Sequence, residues 1–183
     1  MIKRQEIYEG RVVNLAIEEV VLPNGATTRL EVMRHPGASA AVPLFPDGTI
    51  TILRQFRHAA GGWLWEVPAG KLDKPGENPL ECAQRELGEE AGLAAARWDK
   101  LGSIFTTPGF CDEIIHLYLA RDLSEVPREH EVDEVIEVHR MPLVEALGMI
   151  PREEIQDTKT IAALQATALR FGAGLEDGWT TLI

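Results

Sequence analysis

The sequence predicts an α+β fold in which a β-rich block precedes a mixed domain of strands and helices. Three observations carry this. Strand-like runs rich in Val, Ile and Leu, broken by Pro-Gly turns, fill the first third. One capped amphipathic helix begins at Pro79, and strand-like and helical periods follow it toward Leu169. The chain has 183 residues, 45% hydrophobic and 26% charged, close to soluble globular averages, so disordered and membrane-spanning classes fit poorly. A formal net charge of −11 opposes attraction to a nucleic-acid backbone. Two cysteines, Cys82 and Cys111, are too few for a disulfide framework and are read as reduced thiols. The start lacks an apolar signal stretch, so a cytoplasmic protein that contacts neither membrane nor nucleic acid is expected.

Residues 11–22 and 27–33 flank Pro23-Asn24-Gly25 and are expected to pair as a hairpin. Residues 38–44 and 49–56 flank Pro46-Asp47-Gly48 and are expected to form a second. A strand over 63–67 would turn Trp63 and Trp65 to one face and Leu64 and Glu66 to the other. Packing of the tryptophans in a core or interface is the commoner use; a stacking platform is the alternative. Asn78-Pro79-Leu80-Glu81 reads as N-cap, first-turn proline and capping box, and Gly92 as the stop. Between them Leu80, Ala83, Leu87 and Ala91 make an apolar stripe. Strands are expected at 98–105, 114–120 and 135–140, and helices at 143–150 and 158–171, the second capped by Asp157 or Thr158. The organisation expected is a β-rich block over 1–40, a main domain over 41–171 and a tail over 172–183.

Opposite the apolar stripe, Glu86, Glu89 and Glu90 share one helix face. Carboxylates so close repel, so the face is either solvated or occupied by a hard divalent cation. Arg85 stands among them, and Glu77, in the loop before the helix, could pair with it and fix the loop. That loop, 68–76, holds residues that permit unusual backbone angles and could turn a carbonyl toward the acidic face. Two or three carboxylates, one carbonyl and substrate phosphate oxygens would suit Mg²⁺.

Gly70, Glu77, Arg85-Glu86-Leu87, Glu89-Glu90 and Gly92-Leu93 closely resemble the signature of the Nudix hydrolases. The one departure is six residues rather than five between Gly70 and Glu77, which lengthens a loop and leaves the helix spacing intact. Arg54-Gln55-Phe56-Arg57, Glu66-Val67-Pro68-Ala69-Gly70 and Pro108-Gly109-Phe110 resemble the subfamily that cleaves ADP-ribose. Related hydrolases of GDP-mannose and other nucleoside diphosphate sugars share much of this pattern.

The resemblance implies a Nudix-type α/β/α sandwich with a mixed sheet. It implies that Glu86 and Glu90, with the Ala69 carbonyl, ligate Mg²⁺, with Mn²⁺ able to stand in, and that Glu89 assists a second ion. Gly70, Glu77 and Arg85 would be structural. Arg57 would meet the diphosphate or terminal ribose, with Arg29 and Arg54 as further arginines for that task and Glu113 as a substrate-contacting acid. A loop carboxylate would act as general base: Glu134 first, then Glu131 and Asp133, with Glu129 in the same loop. The β-rich block exchanges between subunits in the resembling subfamily, so a homodimer is expected. The activity implied is Mg²⁺-dependent hydrolysis of ADP-ribose to AMP and ribose 5-phosphate. The alternatives are a GDP-mannose or other nucleotide-sugar hydrolase, and a non-catalytic nucleotide sensor.

Overall fold

A computed structural model describes residues 1–72, 74, 76–128 and 134–172. Strands β1 (Lys3–Glu9), β2 (Asn14–Val21) and β3 (Thr27–Arg34) form an antiparallel sheet of their own in that order. The hairpin of β2 and β3 is as expected, but β1 is an addition. All seven of its residues are exposed, so burial imposes no apolar alternation by which a sequence reading could detect it.

Strands β4 (Ala38–Pro43) and β5 (Thr49–Arg57) correct the second expected hairpin. Their turn forms, and Leu44 bridges Ile50, but the chain then passes from one sheet to another. With β7 (Ala69–Lys71), β8 (Leu93–Phe105) and β9 (Ile114–Glu125), β4 forms a mixed sheet of order β7-β4-β9-β8, where only β4 and β9 run parallel. Strand β5 lies between β10 (Ile136–Pro142) and β6 (Gly62–Glu66). The turn geometry is local, whereas the pairing is decided by which faces can be covered.

Every residue of β4 is buried, as a strand covered on both faces requires. Ala38, Ala40 and Val42 join a core with Leu143 and Ala146 of α2 (Leu143–Met149) and Ala163 and Leu164 of α3 (Thr158–Gly172). Leu87 of α1 (Pro79–Ala91) instead packs with Leu93 and Ala120. The result is the expected α/β/α sandwich. Among the described residues no helix is long and apolar enough to cross a membrane.

The sheet of β1 to β3 joins this body through the end of β3. The Met33 N–H donates to the Phe110 carbonyl at 2.7 Å, and Arg34 spans Glu18 and Asp112. This seam places the N-terminal sheet beside the loop that precedes β9.

Candidate active site

Helix α1 forms because its ends are locally encoded. The Asn78 side chain accepts from the N–H groups of Leu80 and Glu81, Glu81 returns a bond to the Asn78 N–H, and Gly92 closes the helix at φ 67°. The helix buries one broad face that is apolar at one edge and acidic beside it: Leu87 packs with Leu93 and Ala120, while Cys82, Ala83, Glu86 and Glu90 are buried next to it. The solvated-face alternative therefore fails for Glu86 and Glu90, which are 9% and 2% exposed. Glu89 keeps about a third of its side chain in solvent.

Arg85 is the hub of this face. It donates to Glu77 through Nε at 2.8 Å and Nη2 at 3.1 Å, to the Lys71 carbonyl at 3.3 Å, and through Nη1 to Glu89 at 2.8 Å and to Glu86. The pair expected between Glu77 and Arg85 is thus formed, and it fastens the loop after β7 to the helix. Gly70 passes so close to Glu86 that a methyl group there would fall on the carboxylate. The Ala69 N–H donates to Glu90 at 2.8 Å, which fixes the strand backbone beside the second buried acid.

Burial pushes the Glu86 carboxyl up to about 7, with Glu89 and Glu134 adding repulsion against the opposing pull of Arg85. Burial likewise pushes Glu90 up to about 8, eased by the Ala69 N–H and reinforced by Glu86 and Glu134. Two acids that resist ionising so close together fit a site completed by a divalent cation, since added positive charge restores both carboxylates. The donors are hard oxygens, which suits Mg²⁺ or Mn²⁺.

These residues floor a cleft of about 800 Å³. Its walls include Arg57 from β5, Ala69, Gly70 and Lys71 from β7, Thr106 and Thr107 after β8, Glu113 before β9, Glu134 before β10, and Asp157 to Lys159 at the start of α3. Val12 reaches it from the turn between β1 and β2. Glu113 accepts from the Thr106 hydroxyl at 2.8 Å. Glu129, Glu131 and Asp133 lie outside the described residues.

Two of the arginines proposed for the substrate are placed elsewhere. Arg54 lies on the face of β5 opposite Arg57, 3.6 Å from Glu137 and with its guanidinium 5.3 Å from the Trp63 ring centre, because three steps along a strand reverse the side-chain direction. Arg29 lies on β3 in a separate hollow with Lys3, Gln5, Ile17 and Glu19. Trp65 packs against the main core and meets His139 edge to face, whereas Trp63 is 39% exposed against Phe56.

Arg57 does line the cleft, but within a network absent from the sequence reading. Its Nε and Nη2 each donate to Glu66 at 2.8 Å. Lys159 donates to Glu66 at 2.5 Å and to Asp157 at 3.0 Å. Burial alone would raise the Glu66 carboxyl, but Arg57 and Lys159 together hold it below its ordinary value. A signal was available in part: an acid on the inward face of a strand requires a buried partner. Which partner it meets depends on where α3 returns.

The family model described as "NUDIX domain" matches residues 33–164. An ADP-ribose pyrophosphatase of Bacillus subtilis is 41% identical over 92% of each chain. A methanol dehydrogenase activator of Bacillus methanolicus is 42% identical, also over 92% of each chain. A GDP-mannose pyrophosphatase of Yersinia enterocolitica is 37% identical over 72% of this chain and 73% of its own. A solved structure described as an ADP compounds hydrolase superposes with a TM-score of 0.81 at 21% identity, covering 94% of each chain, a likeness of fold.

Proposed function

The chain belongs to the NUDIX family, and from that premise we propose that this pyrophosphatase hydrolyses the diphosphate of ADP-ribose to AMP and ribose 5-phosphate with Mg²⁺. The observation that carries the reading is the burial of Glu86 and Glu90 beside Gly70 on the cleft floor, a pair that calls for a cation to stay ionised.

Glu86, Glu90 and the Ala69 carbonyl would hold the metal, and Glu89 would assist a second ion. Mn²⁺ would substitute. Bound there, the ion supplies charge neutralisation for the phosphate oxygens and acidifies a water. Arg57 orients the diphosphate from the wall of the cleft, and Glu113 contacts the substrate beside Thr106. Glu134 takes the proton from the attacking water as general base. Gly70, Glu77 and Arg85 keep the loop and helix in register.

A homodimer completes the proposal. Ile7, Tyr8 and Leu30 of the N-terminal sheet are exposed, and Arg29 stands outside the cleft of its own chain, so exchange of the β1 to β3 sheet would give both a role. The block expected over 1–40 would then stop before β4, whose Ala38 and Ala40 belong to the main core, leaving β4 with the hydrolase domain expected over 41–171 and 172–183 as a tail. The free thiols of Cys82 and Cys111 favour a cytoplasmic setting.

The second reading keeps the chemistry and changes the substrate to GDP-mannose or another nucleotide sugar; the likeness to a GDP-mannose pyrophosphatase favours it. Product analysis with Mg²⁺ on ADP-ribose, GDP-mannose and other nucleotide sugars decides between them. Selective AMP release from ADP-ribose is expected, with Glu90→Gln lowering turnover by roughly 100-fold or more. Preference for another nucleotide sugar would favour the second reading. Tight nucleotide binding with no turnover of any compound would overturn both in favour of a sensor.

A further inference from the structure

We propose that Lys159, at the start of α3, is a positioning residue for the substrate-anchoring Arg57, acting through the buried carboxylate of Glu66. The inference rests on the reading of Arg57 as the residue that orients the diphosphate. Glu66 is 2% exposed and receives Arg57 on both oxygens, side on through Nε and Nη2, while Lys159 reaches Oε2 at 2.5 Å. Such a pairing fixes the plane of the guanidinium and leaves Nη1 as the nitrogen outside the pair.

Lys159 is not needed to start the helix. The Asp157 carboxylate already accepts from the Thr160 N–H at 3.0 Å and the Thr160 hydroxyl at 2.6 Å. Thr160 in turn accepts from the Val67 N–H at 2.9 Å, one residue beyond Glu66. The helix start is thereby locked to the end of β6 without the lysine, and only 12% of the Lys159 side chain is exposed. What the lysine adds is the second positive charge on Glu66. Two cations and two carboxylates then balance. Removing Lys159 would leave Glu66 and Asp157 against Arg57 alone, an excess negative charge on the wall that must receive a diphosphate, and an anchor free to turn with its partner.

Because the anchoring contact is made to the diphosphate before and during reaction alike, the loss is expected in KM rather than kcat. With the full-length protein, Mg²⁺ and ADP-ribose, Lys159→Met should raise KM roughly 10-fold with kcat within about twofold. Lys159→Arg should restore most of the loss. In an Arg57→Met background the Lys159→Met change should shrink to about twofold or less, the coupling expected of one residue acting through another. Additive effects of the two substitutions, or a loss in kcat at unchanged KM, would overturn the proposal while leaving Arg57 as the anchor. An unchanged KM in Arg57→Met alone would instead defeat the reading of Arg57, and the proposal with it. Should Lys159→Met not fold, Lys159→Gln carries the same test: with the charge gone and most of the side-chain length kept, KM should again rise roughly 10-fold with kcat within about twofold, and an unchanged KM would overturn the proposal.

Discussion

At Gly70 the backbone runs against a buried acid, and the side chain it lacks is what leaves that acid in place. The φ of Gly70 lies outside the left-handed region, so the constraint is space: an added methyl would meet the Glu86 carboxylate. That carboxylate ends a flexible side chain and can swing aside, so Gly70→Ala should cost less than about 1 kcal/mol of stability. The same swing moves Glu86 from the cleft floor, and kcat/KM should fall roughly 100-fold or more. Thermal melts and steady-state kinetics on one preparation test this; a stability loss large enough to account for the missing activity would refute it. The arginines teach a related lesson. Arg54 and Arg57 look equivalent in a sequence, yet strand alternation sends one to Trp63 and the other to Glu66. The period-two rule applied to 54–57 would have separated them. Nothing local announces that Lys159 meets Glu66, 93 residues away in sequence.

At the scale of elements, α1 was legible because everything that defines it is local. Asn78, Pro79, Glu81 and Gly92 occupy the positions that the sequence assigns them, and the Arg85 pair with Glu77 spans only eight residues. Asn78→Ala should cost about 1 kcal/mol in urea denaturation, since two N–H groups lose their acceptor. Turnover at saturating substrate should stay within about threefold, because Glu86, Glu89 and Glu90 stand in later turns that the cap does not touch. A large fall in turnover without a fall in stability would contradict this division. The strands were less legible for a matching reason. The turn at Pro46-Asp47-Gly48 forms as written, but whether β4 pairs with β5 or with β9 is set by residues more than seventy positions away. Pairing with β9 lets β4 lie covered on both faces, which a hairpin exposed on one side would forgo.

Across the whole molecule, the formal charge of −11 has its sharpest expression in the cleft. With every acid ionised, its described lining carries six carboxylates against five cations, so a diphosphate then meets no surplus of positive charge from the protein alone. A bound cation would supply the missing charge and keep Glu86 and Glu90 ionised, and stability should report it. Glu86 at about 7 and Glu90 at about 8 lie above their ordinary 4.5, so between those values the folded protein holds more protons than the unfolded chain. Their contribution to stability is full below about 4.5 and is lost as pH rises through 7 to 8. In EDTA the melting temperature should therefore fall between about pH 6 and about pH 8.5, by an amount on the order of a few kcal/mol in stability. A divalent cation competes with those protons, so Mg²⁺ should raise the melting temperature more at the higher pH and release protons as it binds. Glu90→Gln, which holds no titrating proton there, should flatten the slope in EDTA and weaken the Mg²⁺ effect together. A flat profile in EDTA with no pH-dependent gain from Mg²⁺ would mean that these two acids are stabilised by the protein's own cations, and the cleft would then need another source for the charge that a diphosphate demands.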